Sequence, residues 1–478
     1  MPASAMTSLV PWFRPLRRGA LAGTLLLALA LGLCGCQFPF GKRDATPTAP
    51  EAPQQTCVVL ALPASGPYAP IAAKIKRGAA AAQQELAAAG GKLRLETVNT
   101  AAANWLETLA ALPPACAVVG GPLRDVTYGQ AQKSGALEQR AFFSFMPTLK
   151  SGDEGARAWR FFPSPQDQID ALVGFATGEL GIRSYGAFHP ADTYAARMTG
   201  LLAQTLGKRN IPLRQATYTA ADPTSWSDAA APLINPVTAE GSSTPVPQTE
   251  FEALFLPDSW KNIDMITQSL LYNGEDRLVL LGTTLWEQSL SGRQVPRAEN
   301  FALAVFPGAW NAQRAPAALR AQGNDFWTAL GYDFVNFAAA LALNSRLTTP
   351  EITARARRAA SAARAMAPLA YDNAGVAHQK LHLFQVSPGG MKPLDATQFR
   401  ETRAAVLERA ALRMQGLPSV DAQGNPLVPG APGAPGAPGA PATNPGQTTG
   451  TPPAGASGAP AYDTTPRPSY KLRLPGSR

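Results

Sequence analysis

Cysteine offers the clearest chemistry in this sequence, because it occurs only four times and two of the four positions suit cross-linking. Cys57 and Cys116 each begin an apolar run, Cys57-Val58-Val59-Leu60 and Cys116-Ala117-Val118-Val119. If these runs are parallel neighbours in one sheet, both sulfur atoms lie at the same edge of that sheet. In an oxidising compartment this arrangement predicts a structural disulfide. The alternative is two separate buried thiols.

The other two cysteines close an amino-terminal segment with the features of an export signal. Basic residues precede an apolar run from Ala20 to Leu33, and roughly 14 apolar residues are too few for a permanent membrane-spanning helix, which needs about 20. The stretch Leu33-Cys34-Gly35-Cys36 resembles the lipobox of bacterial lipoproteins. This resemblance implies that residues 1–35 are removed and that Cys36 receives acyl chains. The alternative is an uncleaved membrane anchor.

The residues that flank the expected folded region are typical of linkers. Residues 36–55 are rich in Pro, Ala and Thr and predict a flexible tether. Gln37 stands where an aspartate marks inner-membrane retention in many lipoproteins, so the resemblance implies an anchor in the outer membrane. Residues 418–478 form a tail rich in Pro and Gly, and its Gly-Ala-Pro triplets, Gly430–Pro441, are too few for a collagen helix. We expect this tail to be disordered.

Histidine, the commonest general base, occurs only three times. The four-residue spacing of His378 and His382 places both on one face of a strand, but no third ligand is near in sequence, so an ordinary strand is favoured over a metal site. His189 precedes Pro190 in an expected cleft-facing loop, where a ligand or surface contact is favoured over a general base. The sequence lacks the zinc-protease, nucleophile-elbow, phosphate-loop and dinucleotide motifs. We expect a protein without catalysis, metal or cofactor, and a hydrolase is the least favoured class.

The net charge of +9 does not indicate a nucleic-acid partner. Several basic residues lie in the signal segment, and others lie in the tail. No basic block with interleaved aromatic residues occurs between residues 56 and 417. Scattered, solvated charge is the favoured interpretation.

From residue 56 onward the pattern predicts alternating strands and helices. The first cycle reads strand Cys57–Leu62, helix Pro70–Ala89, strand Leu93–Val98, helix Trp105–Leu112 and strand Cys116–Val119. A similar cycle resumes after Phe161-Phe162-Pro163 and runs through several strands to Phe306. Such alternation predicts the α/β class, with each parallel sheet flanked by helices.

Two lobes of ordinary size fit the length of the folded region. We expect lobe 1 to comprise residues 56–160 and 324–417, and lobe 2 to comprise residues 161–323. The helices expected at Phe326–Leu343 and Pro350–Ala365, and a hairpin over Lys380–Pro393, would return to the first lobe. Residues 235–249 lack periodicity and predict a surface insertion.

Several stretches resemble the leucine-binding-protein-like periplasmic receptors. They are Ala61–Tyr68, Val118–Gly120, Phe143-Ser144, Phe161–Gln168 and Leu330–Asp333, in the family's order. The resemblance implies a type 1 periplasmic-binding fold, in which two lobes close on a cleft without catalytic chemistry. Such a fold would bind a small-molecule ligand between its lobes.

The same resemblance implies ligand-binding positions at the carboxyl ends of the strands. The first-lobe candidates are Ser65, Tyr68, Arg124, Asp125, Ser144 and Thr148. In the second lobe, Trp260 would replace the family's aromatic residue, whereas Thr284 stands where the family has a carboxylate that pairs with the ligand's ammonium. Without that carboxylate a free amino acid is a disfavoured ligand. The alternative is that these are ordinary surface residues.

Two further stretches, Val119–Leu123 and Gly282–Trp286, resemble the penicillin-binding-protein activators more closely. These outer-membrane lipoproteins stimulate peptidoglycan synthases by contact, and characterised members carry a helical-repeat domain ahead of this fold. Here the first strand follows the lipid site after only the short tether. Two functions therefore stay open: a regulator whose partner is a peptidoglycan synthase, and the substrate-binding lipoprotein of an ABC transporter for amino acids, peptides or related solutes.

Overall fold

The computed structural model describes residues 56–238, 240, 245–321 and 325–415. The proposed signal peptide, the lipid site at Cys36, the tether and the tail lie outside the described residues and stay predictions. Within these ranges no helix combines the length and the apolar character needed to cross a membrane.

The first lobe is built on a sheet of five parallel strands. They are β1 (Thr56–Leu62), β2 (Leu93–Asn99), β3 (Val118–Gly120), β4 (Ala141–Ser144) and β5 (Trp159–Arg160). Their order is β2-β1-β3-β4-β5. The helices between them are α1 (Ala69–Ala88), α2 (Trp105–Ala110), α3 (Asp125–Lys133) and α4 (Ala136–Gln139). Strand β1 is buried from Cys57 to Leu62, as expected for a parallel strand with both faces covered.

The two cysteines of this sheet form a disulfide. Strands β1 and β3 are parallel neighbours with Val58 opposite Val118. This register brings Cys57 and Cys116 to a Cα–Cα distance of 4.4 Å, and their sulfur atoms are bonded. Of the two alternatives left open by the sequence, the structure therefore has the bridge.

The rest of the chain supplies a second sheet and two short ribbons. The remaining strands are β6 (Tyr185–Pro190), β7 (Leu213–Tyr218), β8 (Pro236–Val237), β9 (Val246–Pro247), β10 (Ala253–Phe255), β11 (Val279–Leu281), β12 (Ala304–Gly308), β13 (Leu369–Tyr371), β14 (Ala377–Gln379), β15 (His382–Ser387) and β16 (Gly390–Pro393). The second sheet has the order β16-β15-β12-β11-β10-β6-β7. Five of its strands, β7, β6, β10, β11 and β12, run parallel to one another. Strand β15 pairs antiparallel with both β12 and β16. Strands β8 and β9 pair at the base of the expected surface insertion.

Within the described ranges, nine further helices cover the two sheets. They are α5 (Pro165–Val173), α6 (Thr193–Gly207), α7 (Trp226–Ile234), α8 (Trp260–Tyr272), α9 (Thr284–Leu290), α10 (Ala317–Ala321), α11 (Phe326–Leu341), α12 (Thr349–Ala359) and α13 (Ala396–Met414). Helix α5 begins at a capping box in which Ser164 and Asp167 satisfy each other's backbone amides, and it continues into a π-helical turn, Gly174–Glu179. Helices α11 and α12 pack in the core of the first lobe.

The chain crosses between the two sheets three times. The first crossing lies between β5 and α5, the second follows β12, and the third joins β14 to β15. A small apolar cluster of Ala309, Ala367 and Leu381 packs where the second and third crossings meet. The lobes are therefore joined by three adjacent segments, as a cleft-forming fold requires.

The prediction that the hairpin over Lys380–Pro393 and the residues after it return to the first lobe was wrong. Strand β15 pairs antiparallel with β12, with Val305 opposite Gln385, so the β15-β16 hairpin extends the second sheet. Helix α13 also packs there, since the ring of Phe399 lies 5.5 Å from that of Phe175 in an edge contact. Without the hairpin, one edge of β12 would be unpaired. The hairpin arrives from the third crossing and satisfies the backbone groups of that edge.

Two glycines allow the close packing of α1 on α11. A Cβ atom on Gly78 would lie 1.8 Å from the carbonyl oxygen of Thr328, and one on Gly331 would lie 1.9 Å from that of Ile75. The two helix backbones therefore touch, which fixes α1 and the loop before it at the edge of the sheet.

Candidate functional site

The loop after β1 lies at the carboxyl edge of the first sheet and is held by Asn99 at the end of β2. The side-chain oxygen of Asn99 accepts hydrogen bonds from the amides of Ala64 (2.8 Å) and Ala101 (3.0 Å). This loop carries the candidates Ser65, which is exposed, and Tyr68, which is half-buried. Both lie at the carboxyl edge of the sheet.

The loop after β3 brings Arg124 against Tyr68. The Arg124 guanidinium carbon lies 5.5 Å from the centre of the Tyr68 ring, a cation–π distance. The chain reaches this position through Gly121, whose φ of +103° favours glycine and where a Cβ would lie 2.5 Å from the carbonyl oxygen of Ala61. The structure thus joins two predicted positions from different loops.

The remaining first-lobe candidates follow β4. Ser144 is fully buried, and its hydroxyl donates to the carbonyl of Pro122 at 3.4 Å. Thr148 is half-buried in the next loop. Ser144 therefore ties two strand ends together, and Thr148 is the one of the pair that retains surface for a ligand.

Asp125, at the start of α3, carries a carboxyl whose pKa is affected by a charge on the second lobe. Burial raises the pKa of its carboxyl, while the charge of Arg197 on α6 opposes that rise. Arg197 belongs to the helix that follows β6, the first strand of the second sheet. These two residues place an acidic and a basic side chain on the two lobes.

Trp260 and His189, two second-lobe candidates for ligand binding, are buried and do not lie in open loops. Trp260 is only 9% exposed, and its ring makes edge contacts with Trp286 (5.3 Å) and Phe301 (4.9 Å) in the hydrophobic core. It therefore does not take the place of the family's cleft aromatic. His189 lies inside strand β6 rather than in a loop, buried, with Nδ1 3.0 Å from the carbonyl oxygen of Pro190.

Thr284 is bonded within the second lobe. Its backbone amide and hydroxyl both donate to the side-chain oxygen of Gln168, at 3.1 and 3.2 Å. Gln168 is a buried residue of α5, so this contact fixes the start of α9 near the first crossing.

The carboxylate of Asp258, after β10, is also engaged. It accepts from the hydroxyl of Tyr218 (2.5 Å), the amide of Asn262 (2.7 Å) and the backbone N–H of Ser259 (2.6 Å). Burial and this carboxylate raise the pKa of Tyr218. Thr284 and Asp258, the polar residues nearest to the positions where the family's second lobe binds an amino acid, therefore both have protein partners.

Glu287 is a residue of this region that the sequence did not single out. Burial raises its pKa to about 8, and the backbone amides of Ala309 and Trp310 oppose the rise. A Cβ on Gly308 would lie 2.7 Å from its carboxyl carbon, so glycine makes room for the carboxyl at the second crossing. The available signal was its position three residues after Thr284, on the same side of α9.

Arg160 organises the first crossing. Its guanidinium is 3% exposed and reaches Glu154 (3.1 Å) and Asp167 (3.2 Å). It also donates to the carbonyls of Phe162 and Ala377, and so joins the first crossing to strand β14. A buried charge with this many partners fixes the geometry of the joint between the lobes.

The two remaining histidines lie apart from this edge. His378 lies 3.5 Å from Asp372 in the β13-β14 ribbon, and His382 begins β15. Among the residues that the structure describes, no three metal-binding side chains form a group that could hold a metal ion.

No family model matches the sequence, and no curated protein matches it. Solved structures do match. A putative branched-chain amino acid ABC transporter protein from Rhodospirillum rubrum gives a TM-score of 0.55 at 13% identity, over 71% of this chain and 100% of that one. Full-length LpoA from Haemophilus influenzae gives 0.50 at 13% identity, over 71% of this chain and 59% of that one.

A third match is an ABC transporter substrate-binding protein from Desulfitobacterium hafniense, with a TM-score of 0.50 at 14% identity, over 71% of this chain and 100% of that one. Sequence identities this low support the fold and leave the activity open. The chain has the two-lobed type 1 periplasmic-binding fold, α/β with flanked parallel sheets, that leucine-binding-protein-like receptors and LpoA share.

Proposed function

We propose that this protein is a non-catalytic lipoprotein of the cell envelope that regulates peptidoglycan synthesis by contact, in the manner of the penicillin-binding-protein activators. LpoA, one of the proteins with this fold, has a carboxy-terminal domain described as a regulator of PBP1A. In the proposal, acyl chains on Cys36 anchor the two-lobed body at the outer membrane. The partner is a peptidoglycan synthase.

One observation carries the choice of a contact regulator over an amino-acid receptor. At the second-lobe edge of the cleft, Thr284 is bonded to Gln168 and the Asp258 carboxylate is bonded to three protein donors. An amino-acid ligand needs a free carboxylate there for its ammonium, and a buried ammonium without one costs several kcal/mol. Glu287 does not supply it at neutral pH, because a pKa of about 8 keeps this carboxyl largely protonated.

The second candidate is the substrate-binding lipoprotein of an ABC transporter. It is favoured by coverage, since the match spans 100% of the Rhodospirillum rubrum protein but 59% of LpoA. The acidic and basic side chains of Asp125 and Arg197 on the two lobes also suit a fold that closes on a ligand.

Two measurements on the full chain in neutral detergent separate these functions. The regulator should capture a peptidoglycan synthase and raise its rate of glycan polymerisation, with no rise in melting temperature from amino acids, peptides or muropeptides. A receptor at a hundredfold ligand excess over Kd should gain about 2.7 kcal/mol in stability. Stabilisation by a solute without synthase capture contradicts the proposal.

A matched pair of variants locates the contact. Arg124→Ala removes the side chain that stacks on Tyr68 at the cleft mouth, whereas Arg77→Ala removes an exposed arginine on α1. If the cleft edge is the contact surface, only the first variant should weaken synthase capture. Equal capture by both moves the contact to another face.

A further inference from the structure

A cavity among the described residues lies away from the cleft candidates and is lined by basic side chains. Its volume is about 910 Å³, within the range of small-molecule sites. The basic side chains around it are Arg314, Arg357, Arg358, Arg364 and His382. Its lining contains no aspartate or glutamate.

These arginines come from separate parts of the fold. Arg357 and Arg358 end α12, Arg364 follows it, and Arg314 arrives from the second crossing. A favourable interaction with the helix dipole accounts for basic residues in the last turn of α12. It does not account for Arg314 or Arg364, which converge on the same space from outside that helix.

None of the four guanidinium groups forms an ion pair with a carboxylate of the described residues. All four of these arginines are exposed to solvent, whereas the buried Arg160 and the half-buried Arg277 are paired. Four like charges around one cavity repel one another, and an anion removes that repulsion. The charge of Arg364 acts on the buried Asp333 and opposes the rise in the pKa of that carboxyl, while Arg314, Arg357 and Arg358 form no ion pair among the described residues.

The wall that carries Arg364 is rigidly built. The buried carboxylate of Asp333 accepts hydrogen bonds from the backbone N–H groups of Arg364 (2.9 Å), Ala365 (2.7 Å) and Met366 (2.8 Å). This fixes the loop, and the buried side chains of Met366 and Leu369 add apolar surface to the cavity. Burial and the charge of Arg314 lower the pKa of His382 beside them.

We infer that this cavity binds a ligand with two or more phosphate charges, gripped by Arg314, Arg357, Arg358 and Arg364. Guanidinium forks match phosphate oxygens in bidentate pairs, and a single carboxylate would leave most of the charge unbalanced. The ligand can be a free phosphorylated solute or the headgroup of an anionic lipid, since both present the same chemistry. Because the arginines come from α12 and the second crossing, the bound phosphates would connect the first lobe to the joint.

Titration of the full chain in neutral detergent at low ionic strength tests the site. The probes are inorganic pyrophosphate, as a free source, and micelles of the same detergent containing phosphatidylglycerol, as a lipid source. The test variant is R357Q/R364Q, and the matched control is R77Q/R293Q, which removes two exposed arginines with no ion pair in the described residues.

Calorimetry should show one pyrophosphate bound per chain, with Kd at least tenfold weaker in R357Q/R364Q and within twofold of the natural protein in R77Q/R293Q. If only the phosphatidylglycerol micelles bind in this variant-dependent way, the ligand is a lipid headgroup. If only pyrophosphate does, it is a free solute. Binding of neither probe, or equal weakening in both variants, overturns the inference. Melting curves without ligand check that both variants fold.

Discussion

Replacing Glu287 by glutamine should stabilise the protein at alkaline pH. Burial beside the end of β12 raises the pKa of this carboxyl from 4.5 to about 8. A carboxyl whose pKa is higher in the folded chain holds its proton more tightly there than in the unfolded chain. The free energy of unfolding therefore falls as pH rises from 4.5 to about 8 and is lowest above that range. Glutamine carries no charge at any of these pH values and avoids the loss.

The size of the effect follows from the two pKa values. The interval from 4.5 to about 8 corresponds to about 5 kcal/mol, at roughly 1.36 kcal/mol per pKa unit. The side chain keeps partial contact with solvent, so screening reduces this figure. We expect the stability of the natural protein to fall by about 2 to 3 kcal/mol between pH 5 and pH 9 through this group alone.

Urea unfolding at pH 5, 7 and 9 measures the difference. The Glu287→Gln variant should lose less stability with rising pH than the natural protein, by about 2 to 3 kcal/mol. Glu408→Gln changes an exposed carboxyl of α13 and should follow the natural protein. Parallel stability curves for Glu287→Gln and the natural protein would refute the burial of this carboxyl.

Three further predictions concern stability. The C57S/C116S variant loses a bridge across a separation of 59 residues, which should lower the free energy of unfolding by about 2 to 4 kcal/mol in urea; an unchanged midpoint would count against the bridge. Gly331→Ala puts a Cβ 1.9 Å from the carbonyl of Ile75, and the forced helix separation should cost about 1 to 3 kcal/mol by thermal unfolding despite alanine's better helix propensity. Arg160→Met leaves the buried Asp167 and the half-buried Glu154 without their cation at the first crossing and should cost about 3 to 5 kcal/mol, so stability close to the natural value would show that the network is dispensable.

Short continuous apolar runs between helical segments predicted most of the parallel strands. Such a run is apolar on both faces, and a parallel strand covered by helices buries both. Strand β1 begins one residue before its expected start, and β2 ends one residue after its expected end. Strand β5 was missed because two residues carry no periodicity. The sheet that the hairpin joins also could not be predicted from its residues. The pattern of β15 indicates that it pairs with another strand, but it does not indicate which sheet contains that strand.

The site was less predictable because loop positions do not specify side-chain direction. Trp260 follows a strand in the manner of a cleft aromatic, yet at the first position of α8 its ring turns into the core. Tyr68 and Arg124 were expected separately, and their contact depends on the packing of two loops that are distant in sequence. Burial raises the pKa of Glu287, and the backbone amides of Ala309 and Trp310, which oppose that rise, reach it only through the second crossing.

Hydrogen-bond satisfaction separates the two regions of this molecule that could bind a ligand. At the cleft edge, Thr284 and Asp258 have protein partners, so a polar solute would have to displace bonds that already exist. Around the basic cavity, the exposed guanidinium groups of Arg314 and Arg364 form no ion pair among the described residues, so an anion would displace water and not a protein partner. Like charges that converge on one space repel one another, which favours anion binding there over binding of a polar solute in the cleft. A protein of this fold can then use its cleft face for contact with a partner and a separate basic cavity for a phosphate ligand.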